Sequence, residues 1–373
     1  MPAAATCRFG LYLGIKSVSY VKLERQGADW RLASSGELEW HDVSSTPEQC
    51  QDELLALLQK LMKQEGIGRE PAHVSLHSRL CVTRVTTGNR QQVDEQLAEI
   101  IDNSQHYLQL GLGDKLIGHT AVPIDESRQY GQVAIIKRGL IETLENATGQ
   151  AGLELLAVDG ALTSICRLAQ LAELDRSPLL LVWLGASGAE IGISYQGHLQ
   201  LNYHAGESLT VEQAAETVGK HLKRLRRFCD RYRQVDCHSD LKRVLVLASP
   251  HESDALRMLL QALQFEQVYT LSDLPGTVLG DHLGHTPLTA PGVACALGGL
   301  LVHHASQTMP TTDVYSQYLR SKPQPLGRVL LRDGWPLLVS AALLLGVLCS
   351  GWSLAMWVAH EESQTATLNS SFD

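Results

Sequence analysis

An uncharged, strongly apolar run at residues 335–359 constrains this chain more than any other feature of its sequence. As a helix rising about 1.5 Å per residue, the run is roughly 37 Å long, which is enough to cross a hydrocarbon core of about 30 Å. Tryptophans near both ends suit the two membrane interfaces. A helix buried in a protein core is the alternative, and the sequence favours one transmembrane helix over residues 335–359.

The flanks of this run indicate its orientation. Basic residues precede it and carboxylates follow it, these being Arg320, Lys322, Arg328 and Arg332 on one side and Glu361 and Glu362 on the other. The positive side of a membrane helix is usually cytoplasmic, and the first residues carry no signal-peptide pattern. We therefore expect a cytoplasmic domain at 1–308, a linker at 309–334 and a short polar tail at 360–373 beyond the membrane.

The composition disfavours other classes of protein. The chain has 31 basic and 40 acidic residues, a net charge of −9, whereas nucleic-acid-binding domains usually carry a basic excess. Its eight cysteines contain no CxxC pair, which indicates reduced, buried cysteines rather than a zinc site or a disulfide framework. With 373 residues, the chain is long enough to fold around its own core.

Strand and helix patterns alternate along the soluble part, in two halves at about 9–175 and 178–305. Each half opens with three strand-like segments, predicted at 9–13, 19–24 and 30–38 and at 178–184, 189–195 and 198–203. The pattern also predicts one uninterrupted strand at 73–85 and one helix at 93–107.

The two openings repeat one another. Residues 11–17 read Leu-Tyr-Leu-Gly-Ile-Lys-Ser and residues 182–188 read Val-Trp-Leu-Gly-Ala-Ser-Gly, each a strand that ends in aromatic-Leu-Gly before a turn. Two βββ units that head two α/β halves are typical of the actin-like, RNase H-like plan, a duplicated βββαβα arrangement. In that plan, paired hairpin loops hold the phosphates of a nucleotide.

The order of motifs resembles that of the PilM and MshI family, which are actin-like proteins of type IV pilus assembly. MshI belongs to the mannose-sensitive haemagglutinin (MSHA) pilus. The matching motifs lie at 14–18, 82–85, 133–138, 151–159, 184–187, 205–210 and 298–300. The resemblance implies a bacterial inner-membrane location, in which the tail is periplasmic, and partners like PilN and PilO together with the assembly ATPase. It also implies that Asp159 caps the helix that starts near Ala161. The membrane helix is closer to the secretion protein GspL, whose actin-like domain continues through one such helix.

Several positions depart from the nucleotide-binding members of the superfamily. There, an aspartate in each phosphate hairpin helps to hold the metal, and here the two positions are Tyr12 and Trp183, which cannot replace a carboxylate at Mg²⁺. The segment at 247–252 matches the superfamily's glycine-rich loop that packs the adenosine, but it has no glycine, and Pro250 removes a backbone donor. After Leu209, the chain leaves no room for an extra lobe. These losses favour a pseudo-ATPase without cofactor, and a working ATPase with a degenerate site is the alternative.

Two further groups of residues are candidates for binding. Backbone donors of the two vestigial loops could hold an anion, or the loops are simply turns; the residues are Gly14, Lys16, Ser17, Gly185 and Ser187. The amphipathic helix at 211–232 carries a basic face that is either solvated or attracted to anionic lipid or an acidic partner; it includes Lys220, Lys223, Arg224 and Arg227. A lipid sensor of this kind would lose anionic-liposome binding on charge reversal at Arg224 and Arg227.

The remaining candidates are weaker. His73 and His77 lie about 13 Å apart on a strand and cannot share a metal ion there. Gly346 and Ser350 would let two membrane helices pack closely as a homodimer, although such pairs are common by chance. The leading hypothesis is a non-catalytic adaptor beneath the inner membrane, with an actin-like ATPase and a lipid-surface sensor as the alternatives.

Overall fold

A computed structural model describes residues 7–27, 29–39, 51–66, 69–107, 110–185, 188–205, 209–230, 241–274, 288, 290–301, 311–312, 314–322 and 335–369. The chain forms two compact units, Met1–Arg320 and Ser321–Asp373. The first unit contains the α/β domain, and the second contains the long C-terminal helix.

The first half of the α/β domain is built around a mixed sheet. Its elements are β1 Cys7–Leu13, β2 Ser17–Gln26, β3 Asp29–Glu39, α1 Gln51–Glu65, β4 Glu70–Leu76, β5 Cys81–Gly88, α2 Arg90–Asp102, β6 Lys115–Pro123, β7 Gln129–Lys137, α3 Arg138–Ala151, β8 Leu153–Gly160 and α4 Ala161–Leu171. The main sheet has the order β3-β2-β1-β4-β8. Strands β5, β7 and β6 form a separate antiparallel sheet inserted between β4 and α3.

The second half repeats this plan without the inserted sheet. Its elements are β9 Leu179–Gly185, β10 Gly188–Tyr195, β11 His198–His204, α5 Val211–Asp230, β12 Arg243–Leu247, α6 Pro250–Ala262, β13 Gln267–Thr270 and α7 Pro291–Leu300. The sheet order, β11-β10-β9-β12-β13, is that of the first half element for element. The duplicated plan expected from the sequence is therefore present, and the hairpin turn at Gln196 and Gly197 has the positive φ angles of 50° and 76° that such a turn needs.

A shared core joins the two halves. Helices α4 and α7 contribute most of their residues to it, because they are buried almost all round. One face of each main sheet completes this core, with Tyr12 and Val21 from the first half and Leu181 and Trp183 from the second. This packing brings the ends of β1 and β9 together.

Three elements differ from the sequence predictions. The strand predicted at 73–85 is two strands in two sheets, because a turn at His77–Leu80, closed by the amide of Leu80 donating to the carbonyl of His77 at 2.8 Å, separates β4 from β5. The predicted helix at 93–107 runs from Arg90 to Asp102 and is followed by a short 3₁₀ turn. Strand β6 was not predicted, since Gly118 and Pro123 break up its pattern.

The segment expected to be a linker, 309–334, contains a packed helix, α8, at Val314–Ser321. Val314, Tyr315 and Tyr318 are buried, and they lie on one face of this two-turn helix. The linker was predicted because this segment has three prolines and only a short apolar pattern. The burial of the two tyrosines depends on contacts with residues that are distant in the chain.

The C-terminal unit contains helix α9, Trp335–Asn369. It begins where the membrane run was predicted to begin, and it continues as helix through most of the expected polar tail. By length and composition alone, residues Ala342–Gln364 could cross a membrane, and none of that window is buried in the protein. Among the described residues, this is the one helix that meets that criterion.

Candidate functional site

A cavity of about 440 Å³ opens where the two halves meet. It is lined by the β1–β2 loop, the end of β9, the start of α6 and the start of α7. Small-molecule pockets commonly have volumes of about 300–1,000 Å³. This is the position at which the actin-like plan places its phosphate hairpins, so the predicted site residues can be located directly.

Tyr12 and Trp183 lie together in this cavity. Both are almost fully buried, and their ring centroids are 5.4 Å apart with the planes tilted by 38°. Tyr12 is the residue before the last of β1, opposite Ser19 of β2, and Trp183 has the equivalent register in β9, opposite Glu190. Burial raises the pKa of the Tyr12 phenol well above its usual value, so this residue stays neutral. Aromatic surface thus fills the positions where two carboxylates were expected in a metal-binding member.

The first vestigial loop is closed by its own hydrogen bonds. The amide of Gly14 donates to the carbonyl of Ser17 at 2.8 Å, and the hydroxyl of Ser17 donates to Glu37. Lys16 is exposed at the rim and is the cation of this loop. Two of the predicted anion ligands therefore already have partners within the protein.

The second vestigial loop is described only in part. Gly185 ends β9 and lines the cavity, whereas Ser187 lies outside the described residues.

Two acidic residues, Glu37 and Glu252, also line the cavity. Their carboxylates repel a phosphate group and so oppose its attraction to Lys16.

The segment predicted to replace the glycine-rich adenosine loop is the start of a helix. Ser249 is the N-cap of α6 and Pro250 is its first residue. The carboxylate of Glu252 accepts hydrogen bonds from the hydroxyl of Ser249 at 2.6 Å and from its amide at 3.3 Å. This capping box stabilises the helix end and uses polar groups that could otherwise face a ligand.

The pair of His77 and Glu190 was not predicted. His77 lies in the turn after β4 and lines the cavity, and its Nε2 atom is 3.1 Å from Oε1 of Glu190 on β10. The amide of Arg79 donates to Nδ1 of His77 at 3.2 Å, so Nε2 carries the proton and donates it to the carboxylate. The hydroxyl of Ser78 donates to the same carboxylate.

Burial controls the ionisation of this pair. It lowers the pKa of His77 to about 4 and raises the pKa of Glu190 to about 7. Oε2 of Glu190 is buried and has no hydrogen-bond partner among the described residues, which adds to the cost of its charged form. The pair joins the β4–β5 turn of the first half to β10 of the second. The histidine spacing was visible in the sequence, but its carboxylate partner was not.

Asp159 does not cap α4, contrary to the prediction. Gly160 is the N-cap, and no side chain bonds to the helix start there. Oδ2 of Asp159 instead lies 2.7 Å from Nη2 of Arg167, a fully buried ion pair. Burial alone would raise the pKa of Asp159, but Arg167 and the hydroxyls of Thr312 and Thr311 outweigh it and keep the pKa below its usual value.

The basic face of α5 is solvent-exposed, as its pattern predicts. Lys220, Lys223, Arg224 and Arg227 are exposed, while the opposite face packs into the second half through Val218, Leu222, Leu225 and Cys229. Lys220 is paired with Glu216 at 2.8 Å. Across the described residues, no group of three or more metal-ligating side chains comes together.

Comparisons with known proteins bear on the fold. No family model and no curated protein matches the sequence. A structure of the PilM–PilN type IV pilus biogenesis complex matches with a TM-score of 0.57 at 13% identity, over 79% of this chain and 97% of that chain. The cytoplasmic domain of EpsL, an inner-membrane component of the Vibrio cholerae type II secretion system, matches with a TM-score of 0.40 at 9% identity, over 82% and 98%.

A third match is a Bacteroides thetaiotaomicron protein with an actin-like ATPase fold and unknown function, with a TM-score of 0.47 at 12% identity, over 74% of this chain and 94% of that chain. Together with the matching sheet orders, the likeness to the PilM structure confirms the actin-like fold and, at the level of fold, the resemblance to PilM. A structural likeness at such low sequence identity shows the fold alone, so function must be argued from the site.

Proposed function

We propose that this chain is a non-catalytic, membrane-anchored adaptor of type IV pilus assembly, of the MSHA type, which links cytoplasmic machinery to membrane assembly proteins. The contact between the buried rings of Tyr12 and Trp183 is the observation that carries the proposal. Phosphoryl transfer depends on charge stabilisation and a positioned metal. Neutral, buried rings at both positions supply neither of these.

The anchor and the partner follow from separate observations. Residues Ala342–Gln364 are long and apolar enough to cross a membrane, and the basic residues before the helix favour a cytoplasmic α/β domain and a periplasmic C-terminal end. The PilM structure that this chain resembles is a complex with PilN. We infer a partner of the PilN type for this chain, with PilO-like proteins and the assembly ATPase as further candidates.

A nucleotide titration tests the non-catalytic role. Full-length protein in detergent micelles is titrated with a fluorescent ATP analogue in the presence of Mg²⁺, with a working actin-like ATPase as the positive control. We expect no saturable, metal-dependent binding. Micromolar binding that EDTA abolishes would overturn the pseudo-ATPase role and favour the alternative, an ATPase with a degenerate site.

Two experiments test the anchor and the partners. Alkaline phosphatase fused after Asp373 is active if the C-terminal end is periplasmic, and an inactive but expressed fusion would reverse the orientation. Affinity purification from detergent-solubilised membranes should recover inner-membrane pilus-assembly proteins. Recovery of secretion-system components in their place would move the chain to that machinery and leave the adaptor role intact.

A further inference from the structure

A short segment of the chain lies in a groove on the first half of the α/β domain. The segment comprises residues 311–312 and 314–321, here called the strap. Thr312, Val314, Tyr315 and Tyr318 are each at least about nine-tenths buried. The groove is formed by β6, the end of β8 and α3, which are elements of the first half alone.

The upstream end of the strap is held by Asp159. The hydroxyl of Thr312 donates to Oδ1 at 3.1 Å, and the hydroxyl of Thr311 donates to Oδ2 at 3.2 Å. Arg167 fixes this carboxylate from the other side. Hydrogen bonds to a charged, buried acceptor are stronger than those between neutral groups, and they require a hydroxyl at these positions.

The middle of the strap lies directly on strand β6. A Cβ atom at Gly118 would overlap the carbonyl oxygen of Thr312 and would lie 2.8 Å from the amide nitrogen of Val314. Only glycine permits this approach. A Cβ atom points out of the face of a sheet, so the strap packs on the face of β6 at this position.

The downstream end is held by a second carboxylate. The hydroxyls of Tyr315 and Tyr318 donate to Oε1 and Oε2 of Glu145 at 3.1 and 3.0 Å, so one carboxylate binds both rings. The two rings stack with centroids 6.0 Å apart, and the guanidinium of Arg138 lies 5.9 Å from the centre of the Tyr318 ring. Residues of three separate elements, β8, β6 and α3, thus contact particular residues of the strap.

The strap has little structure of its own to keep it in place. Its helix, α8, has eight residues, and isolated helices shorter than about 12–15 residues are marginal in water. It pairs with none of the described strands. Its conformation therefore depends on docking.

We propose that this groove is a peptide-binding site and that the strap is its ligand, carried in the same chain. The ligand class is a peptide with two threonine hydroxyls followed by valine and two tyrosines spaced three apart. This inference does not rest on the proposed adaptor function, because it uses only contacts within the first half and the strap. It implies that the groove can release the strap and rebind a peptide of the same sequence.

A peptide-binding assay on the full chain tests the proposal. A fluorescent peptide of residues 309–322 is added to three full-length proteins in detergent: wild type, a Tyr315→Ala/Tyr318→Ala variant with a weakened strap, and a Leu319→Ala variant, in which the change lies on the exposed face of α8. We expect the double variant to bind the peptide at least roughly tenfold more tightly than wild type and Leu319→Ala do, because its groove is open. A peptide carrying the same two alanines should not bind.

Two results would overturn the proposal. One is equal peptide binding by wild type and a double variant whose circular dichroism is unchanged. The other comes from hydrogen exchange on the wild-type chain, which needs no variant to fold: strap amides should exchange faster than those of Ile141 and Leu144 in α3. If strap amides exchange only together with those of α3, the strap is a permanent part of the core and not a ligand.

Discussion

Tyr12 and Trp183 occupy the same register position in the two halves of the domain, and their ring centroids lie 5.4 Å apart. A contact between equivalent residues of two repeats places apolar surface at the two positions where the sequence pattern of a nucleotide-binding actin-like protein has aspartates. It also connects the two main sheets through the shared core. The contact between the two rings should therefore contribute to stability.

Truncation of Trp183 should destabilise the domain. The side chain is 6% exposed, so Trp183→Ala removes a large buried ring and leaves a cavity, at a cost of about 3–5 kcal/mol in the free energy of unfolding. Urea denaturation in detergent, followed by circular dichroism, measures this cost. Leu112→Ala is the matched control, since Leu112 is 90% exposed. Equal unfolding midpoints for the two variants would show that the contact between Tyr12 and Trp183 does not contribute to stability.

Stability should depend on pH through Glu190. Its pKa is about 7 in the folded chain against an ordinary value of 4.5, so its contribution to stability is complete below about pH 4.5 and is lost as the pH rises through about 7. Glu190→Gln removes that loss. The free energy of unfolding of the variant, relative to wild type, should increase between about pH 5 and about pH 7.5, by up to about 3 kcal/mol.

His77 acts in the opposite direction and is present in both proteins. Its lowered pKa, about 4, means that its contribution is complete above about 6.5 and is lost as the pH falls. Denaturant titrations at several pH values isolate the Glu190 contribution by difference, and Glu142→Gln on the exposed face of α3 is the control. A difference that stays constant with pH would mean that Glu190 is ionised in the folded chain.

Removal of the Asp159 carboxylate should be severe. Asp159→Ala leaves the fully buried Arg167 without this counter-charge and removes the acceptor of Thr311 and Thr312. Breaking one side of a buried ion pair costs about 3–5 kcal/mol. Thermal unfolding compares this variant with Arg90→Ala, which breaks an exposed pair with Asp94 and should cost less than about 1 kcal/mol. Similar melting temperatures for the two variants would contradict the prediction.

A charge in the middle of α9 should weaken membrane insertion. Leu345→Arg places a cation inside the candidate span, Ala342–Gln364, at a cost of about 2.5–3.5 kcal/mol. Alkaline carbonate extraction measures the fraction that stays in the membrane pellet, and we expect it to fall. Gln364→Arg at the end of the span should have little effect. Complete extraction of wild type would instead show that α9 does not cross the membrane.

Local patterns predicted much of the architecture. The repeated aromatic-Leu-Gly strands fixed the position of both hairpins and, with them, the pair of Tyr12 and Trp183. The face of α5 that carries Arg224 and Arg227 followed from helical spacing. In each case, the information lies within a few residues of sequence.

What could not be predicted depends on residues that are distant in the chain. Ser78 and Glu190 are 112 positions apart, and Asp159 and Thr312 are 153 apart. No periodicity links such pairs, so the His77–Glu190 pair, the buried ion pair of Asp159 and the packing of α8 emerged only from the structure. The family resemblance implied a cap at Asp159, but Gly160 follows this residue and holds the N-cap position of α4.

Docking of the strap also shortens the distance that this part of the chain can span. Helix α8 has eight residues and is roughly 12 Å long. Released and fully extended, the same eight residues would reach roughly 27 Å. The same covalent connection could thus act as a short or a long tether, and the choice between them would be made by four tyrosine and threonine hydroxyls on two carboxylates.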